Sequence, residues 1–454
     1  MMAGGAGRGG TGGAASGGWG AGGATGTGGQ AGGAGRGGPG GLSETGGRGG
    51  TSGAAGSGGR GGMGAVAGSG GRGGTSGAAG TSAGGASGAG GGLSSCQAPQ
   101  ALTVAESSGV FDLGVASSAT AGIGLLWSRW PQGDDPHFTS YDSNTGQFTT
   151  KLLPDGSPSS ATRHVALTAL PDGRLAAIWT AGTGLIVDRF YLSVGPETAT
   201  PFTNEIESTT GVRTGSFLSV APFDGKVAIA WGEIAHDSAS EDRYHVFVRI
   251  YDLSATSTAA FDVIPPDDTL MPIPQLYTSG DNLIVLLTQS PPTSYPTTLL
   301  SLARITRTTA SGAIAAKSLV TTGADLIPPS LILQGGNIRL GYNDGHNLVL
   351  RTYDLDGNAL GTSVPVTPLA ADNSRGIVGR DQNTNHVLWT DPSLGRVLRY
   401  AALGAADTPI SPVMVATPAE IPAPMGFLRG KTGGLFIGWY SYGGAVHLTP
   451  ICSQ

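Results

Sequence analysis

From about residue 100 onward, short runs of β-branched and aromatic residues alternate with turns rich in Gly, Asp, Asn and Pro. Such runs are typical of β-strands, and no helical period is present. One element recurs, an apolar run that ends in Trp or a substitute for it. Its seven copies end at Trp127, Trp179, Trp231, Leu287, Tyr342, Trp389 and Trp439. Their spacings of 52, 52, 56, 55, 47 and 50 residues indicate an internal repeat.

Each copy of the element has similar surroundings. An apolar run and a tight turn precede it, most clearly at Asp172-Gly173 and Asp224-Gly225, and Asp-Gly is a strong hairpin signal. A third strand follows, often ending in Tyr-Asp as at Tyr353-Asp354, and then a more polar fourth strand. Four antiparallel strands per repeat predict an all-β, seven-bladed β-propeller over residues 96–454. The sequence resembles β-propellers as a class, without the motif of a specific family. We expect the repeated Trp residues to pack between blades.

The last repeat is too short for a fourth strand. Its third strand, residues 445–451, runs almost to the last residue, whereas residues 100–104 form a spare strand before the first repeat. Antiparallel pairing of the two would close the ring and protect both edges. It would also bring together Cys96 and Cys452, the two cysteines of the chain. We therefore predict a disulfide between them, which implies an oxidising compartment.

Residues 1–95 have a different composition from the rest of the chain. They hold 46 of the 81 glycines, with mostly Ala, Ser, Thr and Arg besides. A segment with so little apolar surface is expected to be disordered. It resembles the Gly-rich linkers that separate an anchor from a folded domain in bacterial surface proteins, and this resemblance implies a cell-surface or secreted protein. No export signal follows Met1, and we expect that such a signal is missing from this chain. No apolar run is long enough to predict a transmembrane segment.

Charge and composition bear on the partners. Arg-Gly-Gly recurs in residues 1–95, but Trp19 is the only aromatic residue there on which a base could stack. That segment carries five Arg and one Glu while the whole chain has a net charge of −6, so the predicted propeller is acidic. We therefore expect no nucleic acid, a protein or carbohydrate ligand, a monomer and no cofactor.

Candidate binding residues lie in the loops after the second strands, which open on one face of a propeller. They are Trp130, Asp134, Asp135, His137, Glu233, His236, Asp237, Tyr295, Asp344, Asp391 and Tyr440. Carboxylates with exposed aromatic rings suit a carbohydrate or a hard cation. The same acids could instead stabilise turns. The two longest of these loops, residues 128–137 and 232–244, are expected to hold a binding site, because long loops on a rigid scaffold often carry function.

Two functions remain open at this point. The first is a non-enzymatic module that binds protein or glycan. The second is a polysaccharide hydrolase or lyase, with acids drawn from Asp134, Asp135, Glu233 and Asp391. No motif of a catalytic nucleophile is present, so no catalytic residue is assigned.

Metal binding is not expected. His137, His236 and His346 fall in loops of the same face, but no two of them have ligand spacing. Residues 354–358 resemble the start of a calcium loop, yet no Glu occupies its twelfth position. We interpret this segment as the hairpin between the third and fourth strands of its blade.

The disulfide prediction can be tested directly. Mass spectrometry of a non-reduced digest of protein from an oxidising compartment should find the peptides of Cys96 and Cys452 linked. Because the bond would close a loop of most of the chain, its reduction should lower the free energy of unfolding by about 6 kcal/mol at most. Two free thiols would contradict both the disulfide and the inference of export.

Overall fold

A computed structural model describes fifteen segments of the chain, separated by short gaps. These segments are residues 101–105, 110–129, 136–153, 161–183, 186–199, 201–212, 218–236, 242–290, 298–322, 329–369, 376–381, 383–394, 397–416, 422–441 and 445–451. The predictions for residues 1–95 and for Cys96 and Cys452 fall outside these segments.

Seven sheets form the seven-bladed β-propeller that the repeat predicted, with the strands of blades 1 to 6 in chain order from the channel outward. Blade 1 consists of β2 (Val110–Ser118), β3 (Gly122–Arg129), β4 (His137–Asp142) and β5 (Gln147–Leu152). Blade 2 consists of β6 (Ala161–Ala169), β7 (Leu175–Thr183), β8 (Ile186–Val194) and β9 (Phe202–Val212). Blade 3 consists of β10 (Ser219–Phe223), β11 (Lys226–His236), β12 (Asp242–Tyr251) and β13 (Ser257–Ile264). Blade 4 consists of β14 (Met271–Ser279), β15 (Asn282–Ser290), β16 (Thr298–Thr306) and β18 (Lys317–Thr322).

The remaining blades follow the same order. Blade 5 consists of β19 (Ser330–Gln334), β20 (Asn337–Asn343), β21 (Asn347–Asp354) and β22 (Val364–Pro368). Blade 6 consists of β23 (Gly376–Asp381), β24 (Thr384–Asp391), β25 (Val397–Leu403) and β26 (Pro409–Ala416). Blade 7 consists of β27 (Pro422–Arg429), β28 (Leu435–Ser441), β29 (Val446–Ile451) and β1 (Leu102–Ala105). We call the side of the ring where second strands lead to third strands the loop face, and the opposite side the turn face.

The predicted closure of the ring is confirmed. β1 pairs antiparallel with β29, with Leu102 opposite Leu448 and Thr103 opposite His447. The first strand of the folded part therefore serves as the fourth strand of the last blade. One ladder of backbone hydrogen bonds therefore joins the first and the last strand of the folded part.

One strand was not predicted. β17 (Gly312–Ala315) lies in the connection between β16 and β18 of blade 4, but it pairs in parallel with β13 of blade 3. It makes blade 3 five-stranded and covers its outer edge. Arg307, in the same connection, contacts Asp224 of blade 3 at 3.1 Å and Asp281 of blade 4 at 3.0 Å. This connection thus links two blades at the turn face.

The repeated Trp residues form the core, as predicted. All five are 5% exposed or less, and each lies on the second strand of its blade. The residue opposite each of them on the third strand packs on the indole ring. His137 stacks on Trp127 with ring centroids 4.0 Å apart, and His447 stacks on Trp439 at the same distance. The repeat therefore encodes aromatic pairs that fill the space between blades.

Polar side chains on the first strands link neighbouring blades. Their oxygens accept hydrogen bonds from backbone amides of the next blade. The pairs are Asp112 with Val165 N at 3.1 Å, Ser219 with Leu276 N at 2.9 Å, and Ser330 with Val378 N at 2.7 Å. These bonds satisfy amide groups that the sheets leave unpaired at the channel wall.

The turns between third and fourth strands explain the Tyr-Asp pairs. Tyr353 is buried, while Oδ1 of Asp354 accepts the backbone N–H groups of Asp356 at 3.0 Å and Asn358 at 2.7 Å. The segment 354–358 is therefore the predicted hairpin turn. Its hydrogen bonds, led by those from Asn358, hold the pKa of Asp354 below its usual value.

Among the described residues the only helix is a single 3-10 turn, Pro392–Leu394, and none of their helices is long and apolar enough to cross a membrane.

The close approach of the blades gives a prediction of stability. A Cβ at Gly114 would lie 2.8 Å from the backbone nitrogen of Leu167 on the next blade, so Gly114→Ala forces two strands apart. We expect the free energy of unfolding in urea to fall by about 1–3 kcal/mol. The control is Gly361→Ala, whose Cβ would meet nothing within 4 Å, and it should leave stability unchanged or slightly raised. Equal stability of the two variants would contradict this account of blade packing.

Candidate functional site

The first strands of all seven blades enclose a central channel with a cavity of about 580 Å³. This volume lies within the range of ligand-binding pockets, and the walls belong to the first strands of antiparallel sheets. The channel wall carries a ring of seven residues midway along it, two charged residues at different heights, and several aromatic rings.

The mid-channel ring comes from equivalent positions of the seven first strands. Each member is paired with the residue that precedes the repeated Trp or its substitute. The members are Gly114, Ala166, Ser219, Gln275, Ser330, Ile377 and Gly426. The polar members Ser219, Gln275 and Ser330 belong to consecutive blades, and we call them the polar arc. The other four leave the rest of the ring apolar, so the two sides of the channel differ in polarity.

Two charged residues line the channel at different heights. Asp112 pairs with Ser128, one residue from the level of Trp127 toward the loop face. On β23, Gly376 pairs with Trp389 and so marks the level of the repeated Trp. Arg380 lies four residues from this level, toward the turn face. Five residues along a strand correspond to ~16 Å, so the acidic and basic groups lie near opposite ends of the channel.

The environment of Asp112 holds its carboxylate in place. Its Oδ2 accepts the N–H of Val165, and its Oδ1 accepts the N–H of Leu113 at 2.9 Å. Nδ1 of His164 lies 3.6 Å from the same Oδ2. The carboxylate is therefore fixed between blades 1 and 2 and partly exposed to the channel.

Two tyrosines line the channel at different heights. Tyr440 of β28 lies near the loop face, next to Trp439. Tyr277 is two residues beyond Gln275 on β14 and so projects from the same side of that strand. Burial raises the pKa of Tyr277 well above its usual value, so its hydroxyl stays protonated and can donate a hydrogen bond.

The apolar side of the channel depends on glycines. A Cβ at Gly379 would lie 2.3 Å from Cδ2 of Phe427, so the ring of Phe427 occupies the space that a side chain would need. Phe427 is partly exposed and lines the channel, while its ring also contacts His386 with centroids 5.8 Å apart. An aromatic ring thus lies on the channel wall, held from behind by the packing of blades 6 and 7.

Of the predicted site residues, His137 and Glu233 serve the core in this structure. His137 stacks on Trp127, and Oε1 of Glu233 accepts the indole N–H of Trp231 at 2.8 Å. The two residues lie on different blades, and neither is among the residues that line the cavity. Partial burial of both follows from these contacts with Trp residues.

Asp344 and Asp391 stabilise the loops that contain them. Asp344 is exposed, and its Oδ1 accepts backbone N–H groups of His346 at 2.9 Å and Asn347 at 2.7 Å. Asp391 accepts the Ser393 hydroxyl at 2.6 Å and forms an ion pair with Arg399 at 2.9 Å. These contacts agree with the alternative that turns require acidic residues.

The other candidates fall outside the described residues. The gaps between the described segments contain Trp130, Asp134, Asp135, Asp237 and Tyr295. His236 is described only as the last residue of β11. Tyr440 is therefore the one described candidate that lines the cavity. The assignment of a site to these residues stays a prediction.

The predicted loop 232–244 is largely a hairpin. The β11–β12 ladder continues from Trp231 to His236, which pairs with Asp242, so only residues 237–241 connect the strands. Residues before β14 support this hairpin: Nη1 of Arg243 lies 2.5 Å from Oδ1 of Asp268, and the N–H of Tyr244 donates to the Asp268 carbonyl at 2.8 Å. A supported hairpin, rather than a long loop, extends from blade 3 toward the loop face.

Sequence reasoning missed the channel-lining residues Asp112, Gln275 and Arg380. They lie on first strands, whereas the residues predicted from the sequence lie in the loops after second strands. These positions could be predicted from the sequence as those that pair with, or lie near, the partner of the residue before each repeated Trp. That prediction requires the register between the first and second strands of every blade, which the sequence does not provide.

No family model and no curated protein sequence matches the chain. Among solved structures, a prolyl endopeptidase resembles it with 17% identity and a TM-score of 0.47, over 75% of this chain and 47% of that chain. The hemagglutinin-neuraminidase ectodomain of parainfluenza virus 5 has 10% identity and a TM-score of 0.42, over 78% and 84%. A lectin in complex with alpha methyl fucoside has 11% identity and a TM-score of 0.38, over 69% and 97%. The chain spans about half the length of the prolyl endopeptidase, and the likeness concerns the fold alone.

The contacts of Asp391 predict a pH dependence of stability. Burial raises the pKa of Asp391, but hydrogen bonds from Ser393 and Arg399 outweigh it and hold this pKa below its usual value. A lowered pKa in the folded state stabilises the fold above the pKa of the unfolded chain, and this contribution is lost as pH falls through the folded value. Asp391→Asn should therefore lower the free energy of unfolding by about 1–3 kcal/mol at pH 7, and the difference should shrink below about pH 4.

Denaturation in urea at several pH values measures this difference. Asp344→Asn is the control, because the amide oxygen of Asn can accept the same two backbone N–H groups. It should show little loss at any pH. A loss for Asp391→Asn that stays constant down to pH 2 would contradict the role of the carboxylate charge.

Proposed function

We propose that the protein is a binding module, displayed at the cell surface or secreted, that recognises a glycan at the loop-face end of its central channel. The observation that carries the proposal is the two-sided mid-channel ring, with the polar arc on blades 3 to 5 and apolar residues at the same level of the other blades. Sugar rings have the matching character, because their hydroxyl groups form hydrogen bonds and their C–H faces pack on apolar and aromatic groups.

The residues at the loop-face end support a polar ligand there. The Asp112 carboxylate is held by backbone amides and accepts further hydrogen bonds through its remaining lone pairs. Tyr440 presents an aromatic ring and a hydroxyl at a similar height. A carboxylate and an aromatic ring on rigid strands provide orientation and contact area without a cost of ordering loops.

Binding is better supported than hydrolysis. Glycoside hydrolysis generally requires two carboxyl groups on either side of the scissile bond. Of the acids considered for that role, Glu233 is bonded to Trp231 and Asp391 to Arg399. Asp112 is the one carboxylate among the described residues that line the cavity. These positions favour recognition without bond cleavage.

Export and display rest on the sequence. The Gly-rich composition of residues 1–95 suits a flexible spacer, and a disulfide between Cys96 and Cys452 would suit an oxidising compartment. The channel wall is the same wherever the protein is located, so the binding experiment does not depend on this part of the proposal.

The test is a screen of the whole chain on glycan and surface-protein arrays, with Kd measured for each hit. Asp112→Asn keeps an oxygen for the Val165 N–H but removes the charge, and it should weaken glycan binding about tenfold. Asp172→Asn is the matched control, because Asp172 lies at the turn face and contacts Arg174 there. It should leave the Kd unchanged.

Three results would contradict the proposal. They are binding of proteins only, glycan binding that Asp112→Asn leaves unchanged, and release of new reducing ends from a bound polysaccharide. Replacing residues 130–135 and 237–241 by Gly-containing turns in the same screen tests the loops predicted to bind and leaves the core residues His137 and Glu233 in place. A further loss of affinity would place part of the site in those loops, and unchanged affinity would confine it to the channel.

A further inference from the structure

We propose that the polar arc binds the hydroxyl groups of one neutral sugar residue inserted into the channel, and that Gln275 determines which sugar is accepted. This inference rests on the proposed function and deepens it, because it assigns the specificity of the site to the middle of the channel wall.

Gln275 differs from its two neighbours in the arc. Ser219 and Ser330 occupy the equivalent positions on blades 3 and 5, and each accepts an N–H from the next blade. Gln275 has a longer side chain at the same height of blade 4, and its Oε1 is buried without a hydrogen-bond partner among the described residues. Gln275 as a whole is partly exposed and lines the cavity, so a rotation of its terminal amide would turn this unpaired oxygen toward a ligand hydroxyl in the channel.

The chemistry of the arc favours a neutral, hydroxyl-bearing ligand. Ser hydroxyls and a Gln amide are uncharged groups that both donate and accept hydrogen bonds, as sugar hydroxyls do. Tyr277, on the same side of β14 as Gln275, adds another hydroxyl toward the turn face. The charged residues Asp112 and Arg380 lie above and below this level, so the middle of the channel presents no charge to a ligand.

The opposite wall favours a ring-shaped ligand. Ile377 and Gly426 complete the ring there, and the partly exposed Phe427 follows Gly426 on β27. A pyranose ring could place one face against this apolar wall while its hydroxyls point to the arc. The cavity of about 580 Å³ has room for such a residue together with ordered water.

The test uses saturation-transfer NMR with the whole chain and three probes: methyl α-D-glucopyranoside, methyl β-D-galactopyranoside and methyl α-D-mannopyranoside. At least one should bind, and Gln275→Met, which keeps the size but removes the amide, should raise its Kd about tenfold or more. Gln334→Met is the matched control, because the Oε1 of Gln334 is also buried without a described partner but the residue does not line the cavity. It should leave the Kd unchanged.

The Tm of the unliganded protein separates recognition from a structural role. Removal of an unpaired amide should leave the Tm of Gln275→Met unchanged or higher, whereas loss of a structural hydrogen bond would lower it. Should this variant not fold, Gln275→Asn retains the amide on a side chain one methylene shorter, and it should weaken binding while changing the preference among the three probes.

Three outcomes overturn the inference: no probe binds, Gln275→Met binds as wild type does, or its Tm falls by several degrees with binding intact. The array screen distinguishes this failure from failure of the proposed function. Glycans that bind in a manner dependent on Asp112, but not on Gln275, would leave the binding module standing and place the sugar outside the arc.

Discussion

The fold depends on closing a ring of sheets with one short strand. Each blade buries both of its faces against neighbours, so an open ring would expose an apolar face on the first and the last blade. β1 supplies the missing fourth strand of blade 7 by pairing with β29. Every other feature, including a central channel with seven walls, exists because this ladder joins the two ends of the folded chain.

Closure fixes how close the blades must come, and the repeated residues follow from that distance. Large aromatic side chains fill the space between sheets, whereas glycines are required where backbones approach, as at Gly114. Residues that pack on the repeated Trp share this constraint. His137 and Glu233 have the residue types of a binding site, yet their contacts with indole groups are part of blade packing. Chemical type alone therefore does not identify function in a repeat protein.

The sequence was sufficient for features that recur. Seven copies of one apolar element predict the blades, and the short last repeat predicts the pairing of residues 100–104 with 445–451. Features that occur once could not be obtained in this way. β17 pairs with a strand of another blade, and no local pattern indicates a partner about fifty residues away. The β11–β12 hairpin also depends on its support by Asp268, a long-range contact.

The candidate site belongs to the second kind of feature. The positions of the mid-channel ring are equivalent in geometry, but their residues are Gly, Ala, Ser, Gln, Ser, Ile and Gly, so they show no repeat. Packing between blades determines the residues that recur, and it imposes less on side chains that border the channel. Side chains at these channel positions can therefore vary without disturbing the closed ring of blades. The channel wall is accordingly where the repeat is broken, and Gln275 is the largest of the polar residues that break it at the level of the mid-channel ring.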